Sequence, residues 1–432
     1  MCKRHLKKNV SRRDILRYSL AGAGIAALGP LGRGLLTDVH GAPLSNHKRL
    51  VSIFGYGGWD GLHMLVPTGN TAYYDRRPSI AIPEANALDI GEDSAGYRLH
   101  PSFTRLQGLY GDGNVAIFRK VGYPDADLSH FESQDIHSSG VREDFGSLGI
   151  DESGWVARYA DQYTNSAMGA VALGVGRPRE FEGGSSNPFM ASRLSSFEFN
   201  DSSVSSGEHA HRMASLSSVL QGYAGPTLES EARNAIDQGV QLADQIQSAV
   251  AGYQDDATGS AFKDLYPTNS PGRYLEDIAT LIRGGFETQV FMTGIGGWDT
   301  HGDQGATTGR QADLISRLDT AIGVFVDECK DMGTWNDTLI LLSSEFGRRN
   351  FENGSNGTDH GHGNTFFAIG GGVTGGLYGP DITESDVADS NWMGYGLDYR
   401  DIFKEAVSNH MGGSGALVFP EAQDINTTLN YV

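Results

Sequence analysis

Four short apolar runs, each emptying into a loop of glycines and chemistry-bearing side chains, constrain this chain more than any other feature. They occupy residues 50–54, 114–118, 287–292 and 339–342. Runs of this length bounded by turn residues read as buried strands. Helical patterns at 101–110 and 310–330 precede two of them, and the second repeats Leu314, Leu318, Ile322, Phe325 and Cys329 on one face. Strands alternating with helices predict an α/β protein with a parallel sheet. Further strands are expected at 170–173 and 366–369, and a last helix around 399–410. In a parallel sheet with helical crossovers, the loops leaving the strand ends share one edge, where open α/β sheets place their chemistry.

The four loops carry the candidate site residues. GYGGWDG (55–61) puts Asp60 on a tight glycine turn, a geometry suited to a metal ligand and equally to a plain Asp-Gly turn. Its glycines do not follow the dinucleotide fingerprint. The second loop brings Ser129 to the start of a helix. There it can cap the helix in a capping box with Glu132, serve as a nucleophile, or do both. GGWDTHGD (296–303) offers Asp299 and His301, a carboxylate and an imidazole suited to zinc and similar ions. The fourth loop, SSEFGRRNFENGSNGTDHGHGN (343–364), adds Glu345, Asp359, His360 and His362 as ligand candidates. Arg348 and Arg349 lie in it too, either as a clamp on an anionic group or as ion-pair partners. Of thirteen histidines, His130, His137, His301, His360 and His362 all fall in these loops. That concentration argues for one composite site.

Charge narrows the function classes. With 33 basic and 53 acidic side chains the chain carries a net charge of -20, which disfavours nucleic acid and anionic membrane surfaces as partners. The first 43 residues read as an export signal: basic residues lead into Ser11-Arg12-Arg13 and a Gly/Ala-rich apolar run. This resembles a twin-arginine signal, which implies delivery to the periplasm or beyond through the twin-arginine translocase. The run is too short and glycine-rich for a stable membrane span. With Cys2 in the signal, Cys329 stands alone in the mature chain, so no internal disulfide is expected. Residues 44–432 are expected to form one α/β domain. It is interrupted at about 177–270 by a serine-rich segment and a long helix (227–253), read as a cap or as edge decoration.

Taken together, the twin-arginine start, GGWDGL, LSHFESQD, GGWDTHGDQ, SSEFGRRN with NGTDHGHGN, and DYRDIF resemble the bacterial DUF1501 family. That family is placed by similarity in the alkaline phosphatase and sulfatase superfamily. The resemblance implies a three-layer αβα domain with a mostly parallel sheet and a site of one or two divalent ions, zinc first, manganese or calcium as alternatives. It also implies hydrolysis of a small or polymeric phosphate or sulfate ester. On that plan Asp60 is the aspartate after the first strand, Ser129 the nucleophile, and Asp299 with His301 one metal half-site. The superfamily's Ser-Asp-His-Gly is here Ser344-Glu345-Phe346-Gly347, which puts the second ion in question. Asp359, His360 and His362 are the replacements, if the loop folds back. The rival expectation is an inactive scaffold that binds a cell-surface polymer or a protein. A serine hydrolase of the α/β type is disfavoured because the chain has no G-x-S-x-G elbow.

Overall fold

The computed structural model describes residues 48–420 and 428–432, apart from 92–93, 95, 142–151, 165, 167, 177, 186–187 and 198–227. The signal segment and the serines at 202–206 lie outside the described residues. The main sheet contains β1 (Arg49–Tyr56), β2 (Val115–Gly122), β3 (Ala170–Leu173), β4 (Phe189–Ala191), β5 (Val290–Gly296), β6 (Thr338–Ser343), β7 (Asn364–Gly370), β8 (Gly376–Tyr378) and β9 (Leu397–Asp398). Its order is β8-β2-β7-β6-β1-β5-β3-β4, with β9 extending the pairing along β2. Every pairing is parallel except those of β7, which runs antiparallel to both β2 and β6.

The central strands are apolar on both faces, as a sheet covered on both sides requires: Leu50, Val51, Ile53 and Phe54 of β1 are all buried. Helices α1 (Thr104–Gly111), α4 (Leu228–Gln254), α5 (Gly272–Arg283) and α6 (Arg310–Asp331) pack on one another, as do α3 (Trp155–Tyr163), α7 (Tyr399–Glu405) and the short helix Gly415–Val418. Side-chain alternation along β7 separates the two layers. Phe367 meets Phe103 beside α1, whereas Phe366 on the opposite face meets His137 of α2 (His130–Ser139). The fold is thus a three-layer αβα domain. The apolar stripe read along α6 is buried throughout, from Leu314 to Cys329.

The expected insertion is more integrated than its composition suggests. Phe189–Ala191 adds β4 to the sheet edge, and α4 docks on α5 and α6. Ile246 is fully buried, and Tyr253 Oη donates to the buried Glu328 at 3.1 Å. Among the described residues no helix is long and apolar enough to cross a membrane.

Candidate metal centre

Because β1, β2, β5 and β6 run parallel, their following loops emerge together. Three of these loops meet at one atom. Asp299 Oδ1, after β5, lies 3.0 Å from His301 Nε2, 3.2 Å from His360 Nε2 and 3.5 Å from His130 Nε2. The ligand atoms of His130, Asp299 and His360 lie within 4.8 Å of one another. All four side chains are partly open to solvent, so the cluster is accessible from outside.

Each imidazole is held from behind. His130 Nδ1 faces Glu345 Oε1 at 2.9 Å, His301 Nδ1 faces Asp359 Oδ1 at 2.9 Å, and His360 Nδ1 faces the Leu128 carbonyl at 2.7 Å. These partners only accept, so each Nδ1 carries a proton, and in the neutral ring Nε2 is left with its lone pair toward Asp299. Outer acceptors of this kind orient histidines around metal ions. His130 Nε2 is buried and has no hydrogen-bond partner. Two imidazole nitrogens and one carboxylate oxygen, from His130, His360 and Asp299, form a set that suits zinc and similar divalent ions, and His301 Nε2 stands beside Asp299 and His360 as a further donor. The residues present therefore fit the group that the family resemblance implies.

The electrostatics agree. Burial would raise the Asp299 carboxyl, but hydrogen bonding and charge from Arg348 outweigh it and hold it at about 2. The hydrogen bond to Glu345 raises His130 above its ordinary value, while burial lowers His360. Glu345 itself is held below the usual carboxylate range: burial opposes this, and hydrogen bonds led by those of His130 and Gln134 overcome it.

The long loop after β6 does fold back. Gly347 N donates to the His362 carbonyl, Gly361 N to the Gly347 carbonyl and Arg349 N to the Asp359 carbonyl, each at 2.9 Å, so His360 is bridged to Arg348. A Cβ on Gly361 would sit 2.4 Å from the Arg348 carbonyl carbon, so this return needs glycine. Gly57 has the same role after β1. It adopts φ +117°, its missing Cβ would lie 2.5 Å from Asp299 N, and its N–H donates to Glu345 at 2.9 Å.

Several expected site residues have other work. Asp60 is buried and bonded to other groups: it caps the single turn Gly61–Met64 and pairs bidentately with Arg77. Glu345 and Asp359 stand behind His130 and His301 rather than at the convergence point. His362 is buried and accepts from Tyr123 N at 3.3 Å, remote from the three converging imidazoles in its bonding. Arg348 does not face an open site. Its guanidinium donates to the carbonyls of Gly57, Gly58, Trp298 and Thr358 and to Asp299, fastening three loops together. Arg349 stays partly exposed, 3.9 Å from Asp359. Ser129 is exposed and starts α2, but no side-chain cap bond forms, so the capping box is not made. Its neighbours on both sides, Leu128 and His130, are tied to the cluster.

His130 is the candidate ligand that the set expected from sequence lacks. Its signal was the i, i+4 pairing with Gln134, since both side chains reach Glu345 Oε1 at 2.9 Å from one helix face.

A three-layer α/β domain with a histidine-rich cluster around one aspartate at the sheet's carboxyl edge is the class that fold and site define. Residues 47–410 match the model of DUF1501, a family described as proteins of unknown function, and the chain belongs to it. No curated protein matches the chain. Among solved structures, a protein in the alkaline phosphatase superfamily from Vibrio parahaemolyticus is similar at 12% identity and a TM-score of 0.33, with 88% of this chain and 73% of that one covered. Alkaline phosphatase from the Antarctic bacterium TAB5 is similar at 11% identity and a TM-score of 0.29, covering 80% and 97%. The lipoteichoic acid synthase of Listeria monocytogenes is similar at 10% identity and a TM-score of 0.26, covering 88% and 78%.

Proposed function

We propose that the chain is an exported, metal-dependent hydrolase of phosphate or sulfate esters. The observation that carries this reading is the convergence of His130, His301 and His360 on Asp299, each imidazole braced from behind. When bound, a divalent ion supplies Lewis-acid polarisation of the ester oxygens. His130, Asp299, His301 and His360 would hold it, and Arg348 keeps Asp299 ionised and in place. Ser129 is the candidate nucleophile. Its Oγ would form a bond to phosphorus or sulfur as the ester's bond to the alcohol breaks, and the departing alkoxide takes up the proton that the serine gives up. Water then cleaves the seryl ester and restores the hydroxyl. The free N–H groups at the start of α2 favour the anionic group beside Ser129. The Ser11-Arg12-Arg13 segment supports export by the twin-arginine route.

The test is a panel of aryl phosphate, phosphodiester and sulfate esters, assayed with zinc, manganese and calcium on protein purified without chelator. Turnover with at least one ion is expected, and its loss in Asp299→Ala. Absence of turnover throughout overturns the reading. A second reading, a scaffold that binds a polymer or protein without turnover, is favoured by one observation. Every side of the Arg348 guanidinium is engaged with the protein itself, so this arginine does not reach an ester.

A further inference from the structure

We infer that the centre takes a single divalent ion, because the protein's own groups close the position where a second would need ligands. The inference deepens the hydrolase reading and rests on its metal site. On the plan that the family resemblance implies, a second ion would draw on Asp60, Glu345 and the residue at 346. Asp60 has no acceptor direction left. Its Oδ1 accepts from Leu62 N at 3.2 Å and Arg77 Nη2 at 3.1 Å, and its Oδ2 from Arg77 Nη1 at 2.6 Å and Gln304 Nε2 at 2.7 Å. Two carboxylate oxygens offer about four lone-pair directions, and here all are engaged.

Arg77 is fully buried and also donates to the carbonyls of Asn350 at 3.0 Å and Arg349 at 2.7 Å. A permanent guanidinium charge thus stands where an ion on Asp60 would have to sit, and it repels any dication brought there. Glu345 is turned to the protein as well. Oε1 accepts from Gly57 N, His130 Nδ1 and Gln134 Nε2, each at 2.9 Å, while Oε2 lies 2.9 Å from Ser344 Oγ, whose single proton also has the nearer Gly55 carbonyl at 2.6 Å as acceptor. Phe346 brings no donor atom. Its buried ring packs against the imidazoles of His130 and His360, with centroids 4.9 and 4.7 Å away, and walls the cluster on that side. Among the described residues, what remains is the one group of His130, Asp299 and His360, with His301 beside it.

The experiment is titration of chelator-treated protein with zinc and with cobalt, read by native mass spectrometry and by cobalt d–d absorption. One ion per chain is expected, with the visible spectrum of a four- or five-coordinate cobalt. In Glu345→Gln, which removes the charge behind His130, affinity is expected to fall about 10–100-fold at unchanged stoichiometry. A second tightly held ion per chain overturns this inference and leaves ester hydrolysis standing. One ion without ester turnover upholds the inference and removes the hydrolase reading. No bound ion overturns the inference, and the ester panel, read separately, then decides the hydrolase reading.

Discussion

His301 and His360 face each other through their Nε2 atoms at 3.0 Å. Because their Nδ1 atoms are committed to Asp359 and to the Leu128 carbonyl, two neutral rings here would set lone pair against lone pair. The pair is stable only with a proton or a cation shared between or beside them. That arrangement stores the site's affinity for positive charge before any ion arrives.

Protons therefore compete with the metal. His130 is raised above its ordinary value of 6.5 by its hydrogen bond to Glu345, so its proton persists to higher pH and must leave when an ion takes Nε2. Zinc affinity is expected to rise with pH up to that raised value, by about tenfold per pH unit for each proton displaced. Isothermal titration near neutral pH in two buffers of different ionisation enthalpy should report proton release. Binding with no proton released would contradict this assignment.

Asp60→Asn separates structure from metal binding. Burial alone would raise this carboxyl, but Arg77 overcomes it and holds the group at about 2. The ion pair's contribution is thus present above the unfolded value of roughly 3.9 and fades as pH falls toward the folded one. Leaving Arg77 buried and unpaired should cost about 3–5 kcal/mol in chemical denaturation. Zinc stoichiometry of the folded variant should not change; loss of the ion would return Asp60 to the ligand set.

Gly361→Ala should distort the return of the loop after β6. The added methyl would press on the Arg348 carbonyl carbon, with an expected loss of about 1–3 kcal/mol and weaker zinc binding through displaced His360. Wild-type melting temperature and affinity together would show that the hairpin adapts without strain.

Cys329 should be inert in the native protein. Burial pushes its thiol up to about 12, and the side chain has no solvent exposure. Site-resolved mass spectrometry after alkylation at pH 8 should find Cys329 unmodified until denaturant is added. Rapid native labelling would mean that α6 opens locally.

Much of the architecture was legible because buried strands write themselves as apolar runs. The runs at 50–54, 114–118 and 339–342 fall within β1, β2 and β6 or overlap them by all but one residue, and the α6 stripe is the one observed. The antiparallel sense of β7 was not legible, since an apolar run carries no direction. At the site, residue types in the right loops pointed to Asp299, His301 and His360, which the fold brings together. What sequence could not assign was rank. Whether a carboxylate meets the convergence point or stands behind an imidazole is decided by a few ångströms of tertiary placement, as Glu345 and Asp359 show. Arg77, 17 residues past Asp60, lies outside every loop that carries the pattern, so nothing local announced that it would neutralise that aspartate.

In the sheet, β7 and β6 lie between β2 and β1, although they are the later parts of the sequence to be synthesised. A nascent chain that has completed only β1 and β2 holds two strands with no neighbour to join them. His130 likewise waits for Glu345 and His360, more than 200 residues downstream. Assembly of the centre is therefore a late event in biogenesis. Occupancy of the candidate centre would report that translation has passed β7.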